Sequence, residues 1–568
     1  MGNMRSVFGY LGSAKINCEF TSKIEEDNLH VFCNSNLKFE EDKISFQTLD
    51  YIVMLDGVIL NKTQLLNNGN HKDWESFFIN NWKISGQDFL NDLRGEFSGL
   101  VYDKSTKKIE VFNNPTGTKQ IFYYFSNNKF AFASSAIDLI FLMKKLNWKI
   151  ELNEEACYSF LAYGSLINNT SWIRNSFRLR AGSIITLLDT KIQIDHYKTF
   201  IMTENNSKSK KELLEIFDEL ITNAVKLEWE KDKEYGYSSF STLSGGLDSR
   251  VNVMLARELG FTTQTNFCCS QKGYADETIS REMAKDFGHE YYFHSLDSLE
   301  HFYQAEYMNH KIGGATVYMG PAHLRYGVDT YWNNSFGIIH SGQLGDGLLG
   351  GFISEKKMVE PNLAFGREPY ENISKLKSFE DDLSSKYSNE EMFKMYERGF
   401  QIANSGFWIL EDLSYYSSPF MDIDVLDFLS ELPYKYKHKR TFYLEWMNTY
   451  HPEMVKYDWE YVHSKPNAIW KTKYATTYMR LKYGWRKLMS PEFRLKFDMS
   501  PEQYWYNNSD NLKTYYSRSI NMKLELLSDI KIPYKMELVK FGNSRDVGQL
   551  SKALSMLLVI EEIYKENA

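Results

Sequence analysis

The sequence predicts an α/β protein of two domains. Residues 1–200 read as antiparallel sheets with helices, and residues 208–568 as a parallel sheet with a helical C-terminal region. Three observations predict this. Short apolar runs at 51–55, 98–102, 109–112 and 129–133 are separated by polar or Gly/Pro turns, as in an antiparallel sheet. From residue 237, strand-like and helix-like segments alternate, the rhythm of a parallel sheet covered by helices. Between the two lies ENNSKSKKE, residues 204–212, polar and without an apolar side chain, which marks a linker. A length of 568 residues suits about two to four domains.

The elements follow in order. The opening MGNMRSVFGYLG alternates from residue 4 to 11 and reads as a first strand, with Arg5 an odd charge near its tip. Gly2 and Ser6 also fit the M-G-x-x-x-[ST] myristoylation pattern, but a core strand is not a flexible anchor arm. LNEEACYSFLAYG, 152–164, reads as a helix with Asn153 near its start. SWIRNSFRLRAGSIITLL, from Ser171, is a loop leading into strands. YSSFSTLSGG is a strand running into a glycine loop. DSRVNVMLARELG follows as a helix, with Val251, Met254, Leu255 and Leu259 on one face and Gly260 at its C-cap. FTTQTNFCCS is the next strand. ADETISREMAKDFG is the next helix, aligning Ile279, Met283 and Phe287 and closed by Gly288. EYYFHS is a third strand, and beyond Asn389 the chain reads as mostly helical.

Hydrophobic residues at 43% and charged residues at 25% suit a globular enzyme with substantial cores. The net charge of −8 argues against nucleic acid as the main partner. One stretch departs from the average: residues 470–496 hold Lys471, Lys473, Arg480, Lys482, Arg486, Lys487, Arg494 and Lys496 against the single acid Glu492. It reads as a solvated helical face, with an anionic substrate or partner as the other reading. Cys18, Cys33, Cys157, Cys268 and Cys269 show no metal spacing and are expected as free thiols in a reducing cytoplasm. No apolar run approaches the roughly 20 residues of a membrane helix, so no membrane insertion is expected.

The stretch that carries chemistry is Leu243-Ser244-Gly245-Gly246-Leu247-Asp248-Ser249, at the C-terminal end of a strand and the start of a helix. Ligands bind there in open α/β sheets. Gly245 and Gly246 let the backbone approach an anion, and amides at the helix N-terminus point at it. Ser244 and Ser249 add hydroxyl donors. Asp248 would repel a bare phosphate and makes sense if Mg²⁺ bridges carboxylate and phosphate. The lysine-bearing G-x-x-x-x-G-K-[ST] pattern is absent from this loop. S-G-G-x-D-S instead resembles the pyrophosphate loop of enzymes that split ATP into AMP and pyrophosphate. A second loop, FGIIHSGQLGDGLLGGF at 336–352, repeats strand, Ser-Gly loop and acid, so Asp248 and Asp346 are the candidate metal ligands.

The chain as a whole resembles the asparagine synthetase family over nearly its full length. LRGEFSGLVYD (93–103) is similar to the family's L-x-G-x-F-A-F, NNPTGTKQIFYY (113–124) to R-D-x-x-G-x-x-P-L-Y-Y, and SPFMD (418–422) to V-P-F-L-D. FLAYGSLINNTSWIRNSFRLRAGS (160–183) looks like the helix and turn before the family's linker. The resemblance implies an Ntn-hydrolase-like αββα sandwich followed by an adenine-nucleotide α-hydrolase-like domain of the PP-loop ATP pyrophosphatase type. It implies ATP and Mg²⁺, with Leu243, Ser244, Gly245, Gly246, Asp248, Ser249, Cys269, Ser341 and Gly342 at the nucleotide. VHSKPNAIW puts Lys465 where the family's R-x-K-x-G-F loop has its lysine, though without the Gly-Phe. A cation there would stabilise charge on the α-phosphate and on an acyl intermediate's oxyanion.

Departures cluster at two places. Family members begin Met-Cys, whose cysteine is the glutaminase nucleophile. Here Arg5 takes its place in Met4-Arg5-Ser6-Val7-Phe8-Gly9, and a guanidinium cannot attack an amide. The glutamine-binding Asn-Gly-Glu reads Asp56-Gly57-Val58, and the Asp of R-D-x-x-G is Asn114. In the synthetase loop S-G-E becomes Ser341-Gly342-Gln343, and Gly347 replaces the second acid. Gln343 cannot act as a base. Either another group does so, His340, Tyr318 and His323 being the candidates, or the amine arrives neutral. The expected activity is an ATP-dependent, adenylate-forming amide synthetase that does not hydrolyse glutamine. Its carboxylate and amine substrates are unidentified, and a homodimer or biosynthetic partner proteins are open. Asparagine synthesis from free ammonia, a tRNA-modifying pyrophosphatase and a non-catalytic ATP-binding partner protein are the alternatives.

Overall fold

The computed structural model describes all residues except 1–5, 17–19, 27, 70, 205–206, 355–367, 369–375, 468–495, 529, 533 and 566–568. Arg5, Cys18 and the basic stretch up to residue 495 lie outside the described residues.

The N-terminal part is built on two six-stranded antiparallel sheets. The first has the order β10-β8-β9-β1-β3-β2, from β1 (Ser6–Leu11), β2 (Ser22–Glu26), β3 (Leu29–Asn34), β8 (Phe122–Ser126), β9 (Lys129–Ala133) and β10 (Ser176–Arg178). The second has the order β12-β11-β7-β6-β5-β4, from β4 (Ile44–Gln47), β5 (Tyr51–Ile59), β6 (Gly95–Asp103), β7 (Lys108–Asn113), β11 (Ser183–Leu188) and β12 (Lys191–His196).

Alternation explains the layering. Successive side chains of a strand face opposite ways. In β5, Ile52 and Met54 join the core between the sheets with Val7, Val31 and Phe132. Val53 and Leu55 face out against Phe78 and Trp82 of the helix Trp74–Ser85. Phe8 and Tyr10 of β1 face out toward the helices Ala136–Lys145 and Glu154–Tyr163. The result is the αββα sandwich. The second of these helices starts at the Asn153 cap, whose side chain accepts from Glu155 N, and ends on left-handed Gly164.

The second part holds a five-stranded parallel sheet in the order β15-β14-β13-β16-β17. Its strands are β13 (Ser238–Thr242), β14 (Thr265–Ser270), β15 (Glu290–Ser295), β16 (Phe336–His340) and β17 (Tyr416–Ser417). The chain runs outward from β13 through the helices Asp248–Glu258 and Ala275–Phe287, then returns to place β16 on the other side of β13. Strand order reverses between β13 and β16, which opens a crevice at their C-terminal ends. The helix Lys210–Glu234 starts inside the stretch read as linker, because Ser209 and Glu212 form a capping box.

One apolar core joins the two parts: Leu139, Phe160 and Trp172 cluster with Leu557, Val559 and Ile560 of the C-terminal helix Val547–Tyr564. Cys33, Cys157, Cys268 and Cys269 are free thiols. Among the described residues no helix is long and apolar enough to cross a membrane.

Candidate active site

The crevice between β13 and β16 holds a cleft of about 430 Å³. Ser244, Gly246, Asp248 and Ser249 line it from the first loop, and Ser341, Gly342, Gln343 and Asp346 from the second. The loops touch. A Cβ on Gly342 would lie 2.3 Å from the Asp248 backbone, and one on Gly345 2.7 Å from its carboxyl carbon. Glycine is required at both positions so that the second loop can cross the first.

The first loop is pre-shaped. Ser249 Oγ accepts from Ser244 N at 3.1 Å, and Ser244 Oγ accepts from Gly246 N at 3.2 Å. Gly245 N donates to Asp276 Oδ1 at 2.8 Å, an anchor that the sequence did not point to. The helix Asp248–Glu258 begins without a side-chain cap, which leaves the positive end of its dipole on the cleft.

Asp248 and Asp346 meet across the cleft. Asp346 N donates to Asp248 Oδ2 at 2.5 Å, and Tyr443 Oη donates to Asp248 Oδ1 at 3.0 Å. Burial, and then the Asp346 carboxylate, push the Asp248 carboxyl up to about 7. Asp346 is paired with the guanidinium of Arg440, through Nε and through Nη2 at 2.7 Å to Oδ2. Arg440 lies 5.8 Å from the Trp459 ring and 5.4 Å from that of Tyr461, and all three line the cleft. Two carboxylates, one of them short of countercharge, suit a magnesium ion, which is bound by one or two carboxylates together with substrate phosphates. Among the described residues no group of three or more His, Cys, Asp or Glu side chains is placed to hold a metal by itself.

The wall carrying Trp459 and Tyr461 is tied to the glycine loop by Arg250, the residue after Asp248-Ser249. Its buried guanidinium donates to the carbonyls of Met454 (2.8 Å), Tyr457 (3.1 Å), Asp458 (2.5 Å) and Gly245 (3.3 Å). Glu460 N donates to Gly245 O at 3.1 Å.

The other expected residues fall elsewhere. Leu243 is buried beneath the loop. Cys269 sits at the end of β14 outside the cleft lining, with burial holding its thiol well above the ordinary range. Lys465 is exposed on the loop beyond Tyr461 and also lies outside the lining. None of the three candidate bases lines the cleft. His340 is packed between Asp232 (2.8 Å) and Glu228 (3.5 Å) and stacked on Trp229. Tyr318 is buried against Tyr516, with 2.9 Å between hydroxyls. Burial pushes His323 down to about 4. Gln343 does line the cleft, and its amide nitrogen is buried without a hydrogen-bond partner.

At the head of the N-terminal part, Asp56 is fully buried and paired with Lys119 at 2.5 Å. Ser6 Oγ donates to the same carboxylate, and Tyr415 Oη donates to its other oxygen at 3.0 Å. Asn114 shapes the turn before Lys119: its Oδ1 accepts from Lys119 N at 3.1 Å and its Nδ2 donates to Thr118 Oγ1 at 2.7 Å.

Comparison with known proteins agrees with this organisation. A glutamine amidotransferase domain model matches residues 44–198, and an asparagine synthase model matches residues 217–398. A Methanocaldococcus jannaschii protein, provisionally named glutamine-hydrolyzing asparagine synthetase 2, is 28% identical over 274 residues, 45% of this chain and 52% of that one. Glutamine-hydrolyzing asparagine synthetase 1 of Bacillus subtilis is 22% identical over 254 residues, 43% of this chain and 39% of that one. The chain thus spans about half or less of the length of these curated relatives. Among solved structures, a B. subtilis glutamine phosphoribosylpyrophosphate amidotransferase, complexed with ADP and GMP, is 11% identical. It matches over 51% of this chain and 60% of its own with a TM-score of 0.22, too low to bear on the fold. An amidotransferase domain match followed by an asparagine synthase domain match, over a cleft with paired glycine loops, makes the chain similar to the asparagine synthetases in its organisation.

Proposed function

We propose that the protein is a carbon–nitrogen ligase that adenylates a carboxylate with ATP and passes the acyl group to an amine whose nitrogen does not come from glutamine. The observation that carries this is the meeting of Asp248 and Asp346 over a glycine loop and an uncapped helix N-terminus at the reversal of strand order. In this reading residues 208–568 form the synthetase and residues 1–200 a degenerate amidotransferase domain.

The loop amides and hydroxyls of Ser244, Gly246 and Ser249 bind the β- and γ-phosphates of ATP. Asp248 and Asp346 would hold magnesium, which neutralises phosphate charge. A substrate carboxylate oxygen attacks the α-phosphorus; the bond from that phosphorus to the bridging oxygen breaks, and pyrophosphate leaves. A neutral amine then attacks the acyl carbon, AMP leaves with the acyl–oxygen electron pair, and the amine's proton passes to the departing phosphate. Arg440 puts a cation beside the phosphates. Lys465 is the second proposed cation, acting on the acyl oxyanion, which requires its loop to swing toward the cleft. Gln343 offers its open amide donor to a carbonyl or carboxylate oxygen of the substrate.

The test is carboxylate-dependent ATP–pyrophosphate exchange across amino acids, uronic acids and peptides. Exchange with one class supports adenylation, and aspartate-dependent exchange with free ammonia as acceptor favours asparagine synthesis, as the relatives' names suggest. ATP binding without exchange on any carboxylate favours a non-catalytic partner protein, and neither binding nor exchange overturns the proposal. Glutamine hydrolysis is expected to be zero; release of glutamate would refute the amine source.

A further inference from the structure

Two buried ion pairs outside the cleft involve Asp56, which the sequence resemblance sets at the glutamine-binding turn, and reach across to the other unit. Lys119 Nζ is bonded to Asp56 and to Glu411, and all three side chains are almost wholly excluded from water. Ser6, Asp56 and Lys119 come from the N-terminal unit, and Glu411 and Tyr415 from the synthetase unit. The Lys119 ammonium also lies 5.0 Å from the Tyr415 ring and 5.7 Å from that of Trp408.

Glu411 and Tyr415 lead directly into β17, a strand of two residues at the edge of the parallel sheet. Its pairing with β16 spans only Ile339–Tyr416 and His340–Ser417. So short an edge strand has little intrinsic hold on its register. Yet it aligns the second cleft loop. Ser341 donates to Ser417 O through N at 2.9 Å and through Oγ at 3.0 Å, and Ser418 Oγ donates to Gln343 O at 2.8 Å. Ser417 Oγ donates to Glu228 at 2.7 Å.

A buried ion pair adds little net stability over a well-packed apolar substitute, but displacing either charge leaves the other unpaired at low dielectric. It therefore restricts position more than it raises stability. We propose that Lys119 is a positioning residue of the synthetase site: its charge cluster sets β17, and β17, through Ser417 and Ser418, sets the Ser341–Asp346 loop. The activity arm of the test rests on the ligase reading; the exchange-protection arm does not.

The test compares wild type with the neutral triple variant Asp56→Asn/Lys119→Met/Glu411→Gln, with Lys119→Arg, and with Lys198→Ala. The last removes a different ion pair between the units, 2.7 Å to partly exposed Asp427, and is expected to behave as wild type. The triple variant, folded by circular dichroism, should show faster amide exchange in peptides covering 339–346 and 415–418. Its kcat for pyrophosphate exchange should fall by about tenfold to a hundredfold, as for a small misplacement of reacting groups. ATP affinity should fall by clearly less than turnover, because the Ser244–Ser249 loop is untouched. Lys119→Arg should recover part of the loss, and if the triple variant does not fold, Lys119→Arg carries the same comparison at smaller amplitude. Wild-type amide exchange at 339–346 in a folded variant overturns the proposal, as does an equal loss of ATP affinity and turnover. If the wild type adenylates nothing, the ligase reading falls, and amide exchange alone decides the positioning role.

Discussion

Asp248 is a half-buried carboxyl that burial, and then the Asp346 carboxylate, push up to about 7. Asp248→Asn removes a charge that the nucleotide-free protein does not need. We expect a thermal midpoint equal to or above that of wild type and pyrophosphate exchange lowered by at least about a hundredfold. Retained exchange would remove Asp248 from the metal site. Gln343→Ala should raise the KM for the carboxylate by about tenfold while ATP affinity stays within about threefold, since only a neutral donor is lost. Steady-state titration of each substrate checks the split. The residues of the two Ser-Gly loops were legible because each loop is one local pattern of strand, glycine turn and acid. Arg440, Tyr443 and Asp276 were not. They arrive from segments with no local signature, and only the fold brings Arg440 and Tyr443 from nearly a hundred or more positions away to the two aspartates.

At the scale of elements, the segment from Met454 to Tyr461 has little regular structure, and the Arg250 guanidinium holds three of its carbonyls. Arg250→Met leaves four carbonyls without their charged donor. Unfolding free energy should fall by about 3 kcal/mol in urea titration, with nucleotide affinity falling too as the Trp459 wall loosens. A variant with unchanged urea midpoint would show that Glu460 N on Gly245 O suffices. Elements with strong local signals were readable: the Asn153 cap, the Gly288 stop, and the apolar strands of the sandwich. Two were not. The Ser209–Glu212 capping box hid in a polar stretch read as linker, because a polar first turn looks like a loop until its cap is noticed. β17 escaped because two residues carry no periodicity, and its register is imposed by partners far away in sequence.

Across the whole molecule, His340 joins β16 to the helix Lys210–Glu234 through Asp232 and Glu228. Burial opposes its charge; the Asp232 carboxylate, and then Glu228, overcome this and push the imidazole up to about 9. The folded value is thus above the unfolded 6.5, so the stabilisation is complete below pH 6.5 and is lost as pH rises toward 9. The stability advantage of wild type over His340→Gln should shrink across that window by on the order of 3 kcal/mol. Urea unfolding of both proteins at pH 6.5 and pH 9 measures it, and a constant difference would mean that His340 is neutral. The two-part architecture was readable because the central strands of both sandwich sheets are apolar on both faces and the parallel sheet alternates with its helices. The apolar core shared with the C-terminal helix was not, since nothing local tells a helix which neighbour it will cover.

The cluster at Asp56, Lys119 and Glu411 has a historical consequence. A lineage that loses a nucleophile can ordinarily regain it by one codon change, so long as the pocket beside it stays open. If residues 1–200 are a degenerate amidotransferase domain, as proposed, the Asp56 turn is now held by charges drawn from both halves of the chain, and removing Lys119 strands two carboxylates away from water. On that reading, Arg5→Cys alone should not restore glutamine hydrolysis. Intermediates that clear the space would each disturb the edge of the parallel sheet. The replacement thus works as a ratchet, easy to enter and hard to leave.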